Sequence, residues 1–120
     1  MYQLNIEYPL FSKARPRLTK TGHAYMPPAY KNHQRNLRAA IRCQWGDNPI
    51  LEEPIMLQLM VYGESRGDVD NIAGAFMDAA QGIVYIDDNC RIVTRLDVQW
   101  HLSKKSESRW LVRVTPYSCL

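Results

Sequence analysis

Cysteine is scarce in this chain. The three present, Cys43, Cys90 and Cys119, are odd in number and far apart. Neither a disulfide framework nor a paired-cysteine zinc site fits them, so they read as small apolar fillers in a reducing compartment. Long apolar runs are missing too: none approaches the roughly 20 residues of a membrane span, and no signal-peptide pattern opens the sequence. The expectation is a soluble cytoplasmic protein with no membrane partner. There is no internal repeat, and 120 residues suffice for one core, so 1–120 reads as a single domain. With 46% apolar and 22% charged residues the chain is not of the disordered class.

Acids are nearly absent from the first part of the chain. Residues 1–45 carry eight cations against one acid, Glu7, a net of +7, whereas residues 46–120 carry seven cations against eleven acids, a net of −4. The overall charge of +3 therefore hides a basic end suited to a polyanion and an acidic site placed elsewhere.

Tyr2, Leu4, Ile6 and Tyr8 alternate with polar residues, a half-buried strand stopped at Pro9. Residues 10–28, with three prolines and little periodicity, read as a long basic loop with room for a short hairpin. A helix is expected from Pro28 to just before Gly46, with Tyr30, Leu37, Ile41 and Gln44 or Trp45 inward. Lys31, Arg35, Arg38 and Arg42, spaced by 4, 3 and 4, would then share one outward stripe. A solvated face explains such a stripe, but no acid relieves its repulsion, and phosphates would. Ile55 to Tyr62 is apolar at nearly every position, as in a strand covered on both faces. Ile72, Ala75, Phe76 and Ala79 mark a second helix, with Gly82 as its C′ residue. Ile92 to Trp100 alternates as a half-buried strand, and Trp110, Val112 and Val114 make the last one. The fold class is α+β, a small single domain with a mixed β-sheet and two main helices.

Asp68 and Asp70 stand two apart at the entry to the second helix. Either alone could be an N-cap. In an extended lead-in, however, residues two apart point the same way, so both carboxylates can face one point. Asp87 and Asp88 could be turn residues before a strand. Yet a helix of about ten residues and a short return would bring them back to the first pair. Oxygen-only ligands suit Mg²⁺ or Mn²⁺, with waters and a phosphate completing the shell. The scattered His23, His33 and His101 are not assigned to a metal, and the tryptophans read as packing residues.

The series GDVDN, a helix carrying MDA, then GIVYIDD and a strand resembles the RusA family of Holliday-junction resolvases, small endonucleases of bacteria and their prophages. KARPRLTKTGHAYMPPAYK, residues 13–31, is similar to the basic segment of phage-type members, and the likeness spans most of the chain. The resemblance implies a Mg²⁺-dependent, structure-selective endodeoxyribonuclease that resolves four-way DNA junctions by paired nicks in recombination and repair. It implies an α+β homodimer with catalytic aspartates Asp68, Asp70 and Asp88, metal held by these and Asp87, and support from Asn71 and Asp78. Lys13, Arg15, Arg17 and Lys20 of the loop, with Lys31, Arg35, Arg38 and Arg42 of the helix, would grip the branched DNA. One position departs: Gly74 stands where the family usually has a lysine. Another loop cation then reaches the site, or turnover is reduced, or the chain keeps branched-DNA binding without catalysis. A less selective flap nuclease is a further reading.

Overall fold

Residues 1–117 are described by a computed structural model. β1 (Tyr2–Ile6) buries Leu4 and Ile6 and turns Gln3 and Asn5 to solvent, as its alternation requires. The basic segment that follows contains a two-residue-deep hairpin, β2 (Arg17–Leu18) against β3 (Ala24–Tyr25), turned at Gly22 with φ of +86°. α1 (Pro28–Trp45) starts with proline at its first position and stops at Gly46, whose φ of +57° lets its N–H reach the Arg42 carbonyl. Tyr30, Leu37, Ile41 and Trp45 are its buried face. β4 (Ile55–Gly63), α2 (Val69–Ala80), β5 (Val93–Leu102), a single 3₁₀ turn (Lys105–Glu107) and β6 (Arg109–Pro116) complete the chain.

The sheet order is β1-β6-β4-β5, antiparallel except for the parallel β4–β5 pair. It is therefore a mixed sheet in an α+β domain. A parallel neighbour demands a crossover, and α2 is that crossover. The start of α2 consequently lies beyond the C-terminal end of β4, where open α/β units place their ligands.

Both helices pack on one face, sharing a core with Leu57, Leu59, Val61, Trp110, Val112 and Val114. This corrects the expectation that β4 is covered on both sides. In its other row Met56, Gln58 and Tyr62 are only partly buried and Met60 is exposed, because among the described residues no helix crosses that face. A hollow of about 550 Å³ there is lined by Gln58, Met60, Gln99, Leu111 and Arg113, and by none of the acids between 68 and 88. β5 also differs from expectation. It is an edge strand that meets α2 and buries Val93, but Trp100 is 41% and Leu102 73% exposed. At the opposite edge the Gln44 amide both accepts from the Asn5 N–H and donates to the Asn5 carbonyl, blocking β1. Cys43 and Cys90 are exposed rather than core fillers, and Cys119 lies outside the described residues.

Arg38 departs from the expected outward stripe. Lys31, Arg35 and Arg42 are exposed, but the Arg38 guanidinium turns inward and donates to the carbonyls of Ala79 and Gln81, at 3.0 and 2.9 Å. It thus serves carbonyls that the end of α2 leaves unpaired. Gly82 does sit at C′ with φ of +82°, but its N–H bonds forward to Tyr85 instead of back to the helix. Arg38→Met should therefore lower stability by about 1–3 kcal/mol, read from a denaturant melt. No change in midpoint would show that these carbonyls find water equally well.

Candidate functional site

α2 begins with its backbone alone. Asp68 occupies the N-cap position in an extended conformation, and its carbonyl accepts from Asn71 and Ile72. Its carboxylate makes no capping bond. Asp68 and Asp70 are both exposed, and among the described residues neither takes part in an ion pair. Capping therefore does not use them. The first turn of a helix favours negative charge, which offsets their mutual repulsion.

A second group forms two turns further along. Asp78 receives the Lys13 ammonium at 3.1 Å and the Tyr30 hydroxyl at 3.3 Å. Burial, then the Asp78 charge and its hydrogen bond, push the Tyr30 phenol up to about 12. Asp70, Gly74 and Asp78 recur every four residues, so they share the broad outer face of α2. From Asp70 to Asp78 is about 12 Å along the axis.

The return after α2 is held tightly. Val84 and Tyr85 are fully buried, the Leu51 N–H donates to the Val84 carbonyl, and the Ile86 N–H donates to the Leu51 carbonyl. The Tyr85 hydroxyl reaches back to the Met77 carbonyl at 2.8 Å. These bonds hold the return near the second half of α2, so that Asp88 feels the Asp78 charge. Burial first, then the charges of Asp78 and Asp87, raise the Asp88 carboxyl above its ordinary range. The Tyr85 phenol is raised by burial and then by the charges of Asp88 and Asp78. Asp78, Asp87 and Asp88 are thus one electrostatic group. Among the described residues, no three His, Cys, Asp or Glu side chains stand close enough to grip one ion.

The raised Asp88 carboxyl makes stability depend on pH. A carboxyl raised in the folded state binds protons more readily than in the unfolded chain, so stability falls as pH rises through its folded value. Asp88→Asn removes that repulsion. It should raise the melting temperature at neutral pH and flatten the acid side of the stability profile. A lowered melting temperature at pH 7 would contradict the crowding.

The basic segment is docked onto this acidic face. Phe11 stacks on His33 with centroids 5.0 Å apart and meets Trp110 edge-on at 5.6 Å. The Tyr8 hydroxyl and His33 Nδ1 are 2.7 Å apart. Ser12 fills the space that a side chain at Gly67 would need, and the Lys13 N–H donates to the Asn71 carbonyl at 2.8 Å. Arg15, Arg17 and Lys20 follow on exposed positions. Asp78 enters the sequence reading only through the family resemblance, as a supporting acid, and nothing there anticipates its contacts with Lys13 and Tyr30. Tyr30 is expected on the inner face of α1, but its bond to Asp78 and the Phe11–His33 stack are not.

No curated protein matches this chain. The family model described as "Endodeoxyribonuclease RusA" matches residues 7–115, which takes in the basic segment, α2 and the acidic return. The chain belongs to the RusA family of endodeoxyribonucleases.

Proposed function

We propose that this chain is a Mg²⁺-dependent nuclease that resolves four-way DNA junctions by paired nicks, acting as a homodimer on cytoplasmic DNA in recombination and repair. The observation that carries the reading is the docking of a basic loop onto an acidic helix face in a RusA-family chain. Asp68, Asp70 and Asp88 are the proposed catalytic acids, with Asp87 beside them and Asn71 and Asp78 in support.

The donor set fits such an ion. All the candidates are carboxylates, as a hard cation prefers, and Asp68 and Asp70 are not committed to capping. Mg²⁺ is usually held through one or two carboxylates, its remaining shell being water and substrate phosphate. Among the described residues no three such side chains converge, so the ion would be held through one or two of these carboxylates and water. Mn²⁺ shares the preference for oxygen. When bound, the ion would lower the pKa of a water and offset charge on the phosphate.

The chain's own residues do the rest. Asp68 and Asp70 present carboxylates at the positive end of α2, and the crowding of Asp88 by Asp78 and Asp87 favours any cation that relieves it. Arg15, Arg17, Lys20, Lys31, Arg35 and Arg42 supply exposed charge for backbone phosphates, giving binding by shape with steep salt dependence. Two such sites suit two strands cut symmetrically across a two-fold junction. The open edge of β5, with Trp100 and Leu102, supports a second copy there, since β1 is blocked.

A Mg²⁺ titration on labelled four-way junction, fork and linear duplex tests the reading. The expected result is paired nicks in the junction alone. A mobility shift without nicks would instead assign a non-catalytic branched-DNA binder, and equal cutting of forks a flap-type nuclease.

A further inference from the structure

Resting on that nuclease reading, we infer that Lys13 provides the ammonium that contacts the phosphate being cut, with Asp78 as the residue that holds it ready. Three independent contacts lay this lysine along the acidic face. Its backbone N–H is pinned to the Asn71 carbonyl in the first turn of α2. Its stem runs over Gly74: a Cβ added there would meet Lys13 Cδ at 3.3 Å and Cβ at 3.6 Å. Its ammonium ends on Asp78, 3.1 Å from Oδ2 and 3.4 Å from Oδ1. The glycine midway between Asp70 and Asp78 is therefore the lane through which a cation from another segment enters this face.

Stability does not account for the ion pair. The Lys13 side chain is 46% exposed and that of Asp78 23%, and pairs so open to water contribute about 0–1 kcal/mol. The segment is already held by the Phe11 stack and the Lys13 backbone bond. The ammonium can therefore exchange a carboxylate oxygen for a phosphate oxygen at little cost. A phosphate approaching this face meets Asp68 and Asp70 at one end and Asp78 at the other, and among the described residues Lys13 is the cation paired on α2; the other ion pair, Arg95–Asp97, lies on β5. Arg15, Arg17 and Lys20 lie further along the loop and are left for general backbone contacts.

The test separates charge from packing. K13M keeps the stem over Gly74 and removes the charge, whereas K13A/G74K clears the lane and returns an ammonium to the same face from the helix itself. Single-turnover nicking of a four-way junction in Mg²⁺ and junction affinity without divalent ions are measured for both, with K13A as reference. K13M should nick about 100-fold more slowly. Its affinity should change within about threefold, and its salt slope should fall by about one. K13A/G74K should nick at least about tenfold faster than K13A, since the charge again faces the phosphate. Wild-type nicking that survives in K13M overturns the inference alone. Loss in K13M with no recovery in K13A/G74K makes Lys13 a loop anchor and also overturns it. Wild-type protein that binds the junction but never nicks it overturns the nuclease reading and the inference together.

Discussion

Asp70→Asn should lower Mg²⁺-dependent nicking of a four-way junction by about 10³-fold or more, the loss expected when several kcal/mol of charge stabilisation disappear. Asp70 sits exposed in the first turn of α2, where nothing structural consumes its carboxylate. Asparagine has the same size and keeps one oxygen, so the change removes charge and little else. The helix loses a favourable acid at its positive end, about 0.3–1 kcal/mol, and the fold should tolerate that. Junction affinity measured without divalent ions should stay level or improve, because one negative charge beside the phosphates is gone. Nicking rates, gel shifts and a thermal melt on the same preparation separate these effects. Wild-type cleavage by the variant would remove Asp70 from the site.

The largest effect on stability should come from Trp110→Ala. Trp110 is fully buried, donates its indole N–H to the Tyr8 carbonyl at 3.1 Å and stacks on Phe76. Truncation leaves a cavity and an unpaired carbonyl, at a cost of about 3–5 kcal/mol. For a domain of this size the melting temperature should fall by roughly 10–20 °C. The consequence reaches the site, since Phe11 rests on the same indole and carries Lys13 two residues later. Nicking by folded W110A should therefore drop further than the unfolded fraction explains, while Trp110→Phe recovers most of both. A fall of under about 3 °C in melting temperature would show that Trp110 is not the keystone of this packing.

Periodicity made the large elements legible. Leu4 and Ile6, the 30–45 helix face and the stripe of α2 all bury as their spacing requires, because each presents one continuous apolar row to one core. What failed was anything decided by position in the sheet. β4 and β5 have apolar residues on rows that no helix covers, and strand order cannot be read from alternation. Arg38 looks outward by spacing, yet the end of α2 lies within reach of its long side chain. Of the candidate site, the acids stand out in the sequence as a pattern. The pairing of Lys13 with Asp78 does not, for it joins residues 65 apart through a loop without periodicity.

The most direct measurement is anomalous scattering from a crystal soaked in Mn²⁺. A shared divalent ion predicts a peak bonded to the carboxylate of Asp70 and to at least one of Asp68 and Asp88, lost in Asp70→Asn. Manganese bound elsewhere, or no peak at these acids in protein that nicks junctions, would contradict the proposed metal site.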